Sequence, residues 1–466
     1  MTDQKGRVRT RSLRAGTGVT VVTPPLGTPL IGLFEYREAA TVADDLTARA
    51  LVLDDGATRL ALVVCDLIAL SGATVAAARK RIAARYDIPG ERVMVACTHT
   101  HTGPAPISLL VTPAAVDFLD WLPDRIADSV GIACARLAPA RVAWGAAGVD
   151  GVCFNRRFQM RDGTVMFNPP PRSPDIVEPV GPVDPAVTAL LVEDLAGKPL
   201  ALWANLALHY VGTDDPLAVS ADYFGHATRA VERVLGPESL GLLTNGASGD
   251  INNRDVAAPL DAGTGTEQAH RVGLAVAAAA IKASMMQRRD ESPPLAAARI
   301  RFSVVRRSIT DGDIALATNI LGHSPDEPWT NEEFSFVIGQ PIPVPLRETY
   351  AREVLEVARM PERVETEIQV LRIGDLALVA LPGEIFVELG LAIKARSPFP
   401  LTAVVGLAND YVGYVPTRAA FDQGGYETWA ARSAWPAPGT GEAMVASSLA
   451  LLRTLVPRTP VMNPSS

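Results

Sequence analysis

The sequence predicts an α/β protein, a layered, mixed β-sheet core with flanking helices in a single large domain. Three observations predict it. Short apolar runs of strand length alternate with Ala-rich stretches of helical length. No Pro/Ser-rich linker or internal repeat divides the first 290 residues. With 466 residues, 48 % of them hydrophobic and 20 % charged, the chain has the composition of a globular protein and the length to bury an extensive core.

The chain opens on a polar, basic stretch to Arg14 that lacks the apolar segment and cleavage site of a secretory signal, so none is expected. A short strand over 18–22 and a turn-rich stretch over 24–30 follow. Residues 48–53 and 58–65 read as two strands joined at Asp54-Asp55-Gly56. Asp66, at the end of the second, either caps the following turn or orients a metal-bound histidine from behind. An Ala-rich helix over 73–86 leads through Ile88-Pro89-Gly90 into the apolar run of residues 91–96 and then Cys97-Thr98-His99-Thr100-His101-Thr102-Gly103-Pro104. If that run stays extended through His101, the imidazoles of His99 and His101 point to one face, because side chains alternate along a strand. Such a pair suits holding a metal or moving a proton; ordinary hydrogen-bonded histidines are the competing reading. The chain has six histidines, so two within three residues stand out.

A helix is expected over 114–137, with Pro123 a kink or a late start, and a strand restarts over 141–144. The adjacent Arg156 and Arg157 fit either a solvated face or a guanidinium projecting into a cleft to meet a carboxylate or an oxyanion. Residues 187–192 and 199–209 form a hairpin around Gly197-Lys198, closed by His209. A lone histidine there is more often a satisfied core residue, although strand ends are where sites on α/β sheets gather. Ser220 or Asp222 caps a helix running to about residue 235, and a strand over 240–243 ends in a loop of small and amide residues, 244–253. That loop matches no phosphate-binding or dinucleotide pattern.

A helix over 266–285 precedes Pro293-Pro294, the one subdomain border, and residues 294–363 read as an insertion or lid. Strands resume over 367–372 and 376–381 and end in Pro382-Gly383-Glu384, whose carboxylate falls where it complements the dipole of a following helix. A last strand over 401–407 precedes the loop holding Tyr411, Tyr414 and Tyr426, and a helix over 441–455 closes the fold.

The net charge of −8 argues against a nucleic-acid partner. No run approaches the roughly 18 apolar residues of a membrane span. Cys65, Cys97, Cys134 and Cys153 form no CxxC pair and read as buried thiols in a reducing compartment, so a cytoplasmic location is expected.

Taken in order, Thr23-Pro24-Pro25-Leu26-Gly27-Thr28-Pro29, the HTHTGP run, Asn155-Arg156, Ala204 to His209, Ser220-Ala221-Asp222-Tyr223, Gly246-Ala247-Ser248-Gly249-Asp250, Pro382-Gly383-Glu384 and Gly425-Tyr426-Glu427 resemble the neutral/alkaline ceramidases over most of the chain. The resemblance implies a catalytic domain in which Zn²⁺ is held by His99, His209, Glu384 and Tyr426, with His101 and Arg156 against the substrate. It further implies hydrolysis of an amide in a small acyl-amide substrate by metal-activated water, with His101 moving the proton and Arg156 stabilising the oxyanion.

Two departures bear on the substrate. Asn252 stands where the family has a serine, and an amide donates a hydrogen bond but cannot replace a hydroxyl nucleophile. The family's C-terminal immunoglobulin-like domain is not expected in these 466 residues. Ceramide is therefore not the expected substrate, and an ester or lactone hydrolase, or a binding protein that kept the metal pocket, are the competing readings.

Overall fold

The computed structural model describes residues 12–258, 263–323, 342 and 344–456. Two sheets stack face to face with helices on both outer sides. The larger is built from β1 (Arg14–Val21), β2 (Thr47–Asp54), β3 (Arg59–Cys65), β4 (Val93–Cys97), β5 (Ala138–Gly148), β6 (Ala186–Asp194), β7 (Pro199–Leu206) and β8 (Leu240–Asn245). Its order is β8-β7-β6-β5-β1-β2-β3-β4. The smaller runs β9 (Leu295–Val305), β10 (Arg363–Ile373), β11 (Leu376–Ala380) and β12 (Leu401–Val405) in sequence order.

Side-chain alternation decides the layering. Along β3, Leu60, Leu62 and Val64 join Leu371, Ile373, Leu378, Ala403 and Val405 of the smaller sheet in one apolar layer. Ala61, Val63 and Cys65 face the other way, onto helices α1 (Gly72–Tyr86) and α2 (Val116–Ala135). Further along the same sheet, Val187, Ala189, Leu202 and Ala204 pack on α3 (Asp222–Leu235) and α4 (Thr266–Met285). In the smaller sheet Val370, Val379 and Val404 cover α5 (Val387–Arg396) and α6 (Thr440–Thr454). The fold is thus the expected layered α/β arrangement with a mixed sheet.

Within these two sheets three strand pairs are parallel: β3 with β4, β7 with β8, and β11 with β12. The loops leaving their carboxyl ends meet. The Gly406 N–H donates to Asn245 O (3.0 Å), Cys97 N–H to Leu407 O (3.1 Å) and Gly249 N–H to Ile385 O (2.8 Å). Asn245 Nδ2 reaches Thr98 O at 3.4 Å, so the two edge strands of the larger sheet also approach each other there.

Pro123 sits inside α2 rather than at its start. Of the expected insertion or lid, residues 295–305 form a strand of the smaller sheet and residues 311–321 and 347–359 form helices, while 324–341 and 343 lie outside the described residues. The expected basic N-terminal stretch lies largely outside them too. All four cysteines are free thiols. Among the described residues no helix is long and apolar enough to cross a membrane.

Candidate metal centre and active site

The expectation that the histidine strand stays extended through His101 is corrected by the structure. Pairing stops at Cys97, and His99 adopts a left-handed backbone, φ +81°. That conformation is unusual for a side chain of this size and is held by the His99 N–H donating to Leu67 O (2.9 Å). His99 and His101 are nevertheless brought together, with ring centroids 4.7 Å apart. His209 does not close its strand either. β7 ends at Leu206 and the chain carries His209 three residues further, to a ring centroid 4.4 Å from that of His99.

The tautomers follow from what stands behind each ring. His99 Nδ1 faces Ile68 O at 2.8 Å and His209 Nδ1 faces Ser248 O at 3.1 Å. A carbonyl only accepts, so each Nδ1 carries the proton and each Nε2 keeps its lone pair. These lone pairs face each other at 3.0 Å, and Glu384 Oε2 lies 3.2 Å from the first and 3.4 Å from the second. Three electron-rich atoms therefore converge in a buried space, and Glu384 Oε2 has no well-formed hydrogen bond. Donors about 2.0–2.1 Å from a tetrahedral ion stand roughly 3.3–3.4 Å apart, so the spacing and the N/N/O donor set fit Zn²⁺. The third imidazole belongs to the same cluster: His99, His101 and His209 offer ring nitrogens all within 4.8 Å of one another.

Glu384 sits in a two-residue strand, Glu384–Ile385, paired with Tyr414–Val415, one turn ahead of α5 rather than inside it. Tyr411 Oη donates to Glu384 Oε1 at 2.8 Å, which leaves Oε2 turned to the imidazoles. Burial works to raise the Glu384 carboxyl, but its polar surroundings, the hydrogen bond from Tyr411 and the charge of Arg156 among them, prevail and hold it below its usual value. Gly249 packs beneath this residue so closely that a Cβ would stand 2.4 Å from Glu384 O. Tyr426 lines a small cavity together with His99, His101, Glu384, Tyr411 and Tyr414. Burial, and then the charge of Glu384, push the Tyr426 phenol above its usual value.

The adjacent arginines are not a solvated face. Arg156 and Arg157 are buried and share one buried carboxylate, Glu427, through Arg156 Nε to Oε1 (2.8 Å) and Arg157 Nη1 to Oε2 (3.0 Å). Arg156 Nη2 also donates to Gly249 O at 2.6 Å. His101 donates from Nδ1 to Gly32 O (2.7 Å), stacks on Tyr210 (centroids 3.7 Å, 16° between planes) and has a buried Nε2 with no hydrogen-bond partner. Burial, then the neighbouring His99, push the His101 pKa well below 6.5, leaving a neutral base. Asn252 is tied on both sides, with Nδ2 donating to Asn168 Oδ1 (2.7 Å) and Oδ1 accepting from Arg254 N (3.0 Å).

A cavity of about 290 Å³ opens onto His101, His209 and Arg156 and is also lined by Arg37, Phe167, Asn252 and Arg254. Asp66 fills neither expected role: its Oδ2 accepts from Thr47 N (2.9 Å) and Thr47 Oγ1 (2.7 Å) at the start of the neighbouring strand, not from the turn that follows it or from a histidine. Of the expected helix caps, Ser220 Oγ accepts from Asp222 N (3.0 Å), while Asp222 turns to the backbone of Val211 and Gly212. Sequence reasoning missed Tyr411, Tyr210, Arg37 and Glu427. Only Glu427 carried a signal, as an acid beside Tyr426 able to neutralise the arginine pair.

No family model matches the chain. It is similar to the neutral ceramidase of Pseudomonas aeruginosa, 25 % identical over 434 residues, covering 82 % of this chain and 63 % of that protein, so the chain spans under two thirds of the curated relative's length. The crystal structure of neutral ceramidase from Pseudomonas aeruginosa has the same fold, with a TM-score of 0.69 and 21 % identity over 97 % of this chain and 76 % of the other. A ceramidase complexed with C2 superposes with a TM-score of 0.71 and 20 % identity, covering 97 % of this chain and 77 % of the other. In sequence and in fold the chain is similar to neutral ceramidase.

Proposed function

We propose that this ceramidase-like chain is a metal-dependent hydrolase that cleaves an acyl-amide bond of a small molecule at the three-histidine centre. The meeting of two imidazole lone pairs and one carboxylate oxygen, 3.0–3.4 Å apart with no proton between them, supports this reading most strongly. Without a cation that arrangement is repulsive. His99, His209 and Glu384 would hold the ion, with Tyr426 as the tyrosine donor from the adjoining cavity, and this mixed nitrogen and oxygen set favours zinc. When bound, such an ion supplies a water-derived nucleophile at neutral pH and polarises the acyl carbonyl.

The chain's own groups do the rest. Ile68 O and Ser248 O fix the two ligand rings, and Tyr411 fixes the carboxylate. His101 Nε2, unpartnered at the cavity, takes up a proton and returns it to the departing amine. Arg156, fixed by Glu427 and the Gly249 carbonyl, keeps further N–H groups for the oxyanion. Asn252, its amide tied on both faces, positions Asn168 and the Arg254 backbone and supplies no nucleophile.

The test is hydrolysis of matched acyl-amide and acyl-ester substrates with and without chelator, alongside elemental analysis. Chelator-sensitive amide cleavage restored by zinc is expected. Cleavage of the ester alone would make the chain an ester or lactone hydrolase, and full metal occupancy without turnover of either would make it a binding protein.

A further inference from the structure

We infer that the substrate carries a carboxylate, held beside the three imidazoles by Arg254 and Arg37. The inference rests on the hydrolase reading above and specifies its substrate class. The cavity that opens onto His101 and Arg156 measures about 290 Å³ and has no Asp or Glu in its lining among the described residues, although acids outnumber bases 51 to 43 in the chain. Three guanidinium groups line it. Among the described residues only that of Arg156 forms an ion pair, with Glu427.

Arg37 donates from Nη1 to Pro216 O (2.6 Å) and from Nη2 to Ile31 O (3.2 Å) and His101 O (3.0 Å). These are neutral carbonyls, and its buried Nε has no partner. Arg254, half-buried on the cavity wall, makes no side-chain hydrogen bond or ion pair among the described residues. Removing a guanidinium from water without a counter-charge is unfavourable, the more so the deeper it is buried. A ligand carboxylate removes that penalty and suits the planar fork of arginine.

The volume sets the size. It falls at the lower end of the roughly 300–1,000 Å³ of small-molecule sites, room for a compact molecule rather than for two long hydrocarbon chains. Phe167 supplies an apolar wall for a short acyl group. An N-acyl amino acid has all three parts: an acyl group, an amide to cut, and a carboxylate one carbon beyond the nitrogen.

The experiment compares an N-acyl amino acid with its neutral α-carboxamide on the metal-replete protein. It also measures calorimetric binding of both to metal-stripped protein. The acid should be turned over with a kcat/KM at least about tenfold higher, carried by KM, as expected for a hydrogen bond to a charged group. Arg254→Gln should remove that preference and the matching difference in binding. Equal turnover and equal binding of the two, or a preference that survives Arg254→Gln, overturns the inference and leaves the hydrolase reading standing. Tighter binding of the acid with no turnover of either compound upholds the anion site and overturns the hydrolase reading instead.

Discussion

Replacing Glu427 with glutamine probes how Arg156, the arginine proposed to bind the oxyanion, is kept in place. The wild-type carboxylate accepts from Arg156 Nε at 2.8 Å and Arg157 Nη1 at 3.0 Å, with all three side chains at most 4 % exposed. Glutamine keeps one acceptor oxygen but removes the charge, leaving two buried guanidinium groups uncompensated. Breaking a buried ion pair from one side costs about 3–5 kcal/mol. Unfolding entropy of roughly 2.1 cal/mol/K per residue amounts to about 1 kcal/mol/K over this chain, so Tm should fall by roughly 3–5 °C in scanning calorimetry. Turnover should drop as well, because the Arg156 guanidinium loses its carboxylate anchor, while metal content should stay at the wild-type level, since the Glu427 carboxylate is engaged by Arg156 and Arg157. An unchanged Tm together with unchanged turnover would refute the claim that this carboxylate neutralises and positions the arginines.

Three further perturbations follow. Tyr411→Phe removes the hydrogen bond to Glu384 Oε1, and loss of such a support should weaken metal retention about 10–100-fold in a chelator competition, with wild-type retention counting against the role given to Tyr411. Gly249→Ala places a methyl where a Cβ meets Glu384 O at 2.4 Å; overpacking of this kind costs about 1–3 kcal/mol, and a normal Tm with normal metal content would show that the loop yields freely. Asp250 is buried, and burial raises its pKa from 3.8 to about 6 against the hydrogen bonds from Val387 N and Asn155 Nδ2. Its folded pKa lies above its unfolded one, so its contribution is fully present below pH 3.8 and is lost as pH rises through about 6. Asp250→Asn should therefore flatten the pH dependence of stability across that window by roughly 3 kcal/mol, and an unaltered profile would assign the dependence elsewhere.

Much of the fold was legible because its elements are long and periodic. Residues 48–53 and 58–65 read as strands and occupy Thr47–Asp54 and Arg59–Cys65, and the helix read over 73–86 is Gly72–Tyr86. The helix buries Val75, Ala78, Arg79 and Ile82 on one face, and the two strands, continuous apolar runs, are buried almost throughout between layers. Two-residue strands carry no such period, so the pairing of Glu384–Ile385 with Tyr414–Val415, which sets the carboxylate, was invisible. The left-handed turn at His99 was equally hidden, since it is imposed by the Leu67 carbonyl more than thirty residues earlier. His99, His209 and Glu384 were found through the ordered resemblance of short motifs, and the fold brings all three together. Tyr411 and Glu427 escaped because one tyrosine or one acid in a loop gains its meaning only from a partner far away in the chain, Glu384 in one case and Arg156 in the other.

The most direct test is the metal content of purified protein, set beside that of His99→Ala and Glu384→Ala. Close to one divalent ion per wild-type chain is expected, falling below about a tenth in either variant while the fold persists by circular dichroism. Wild-type protein that takes up no ion from a zinc-buffered solution, or variants that retain it fully, would contradict the convergence of lone pairs on which the proposed chemistry depends.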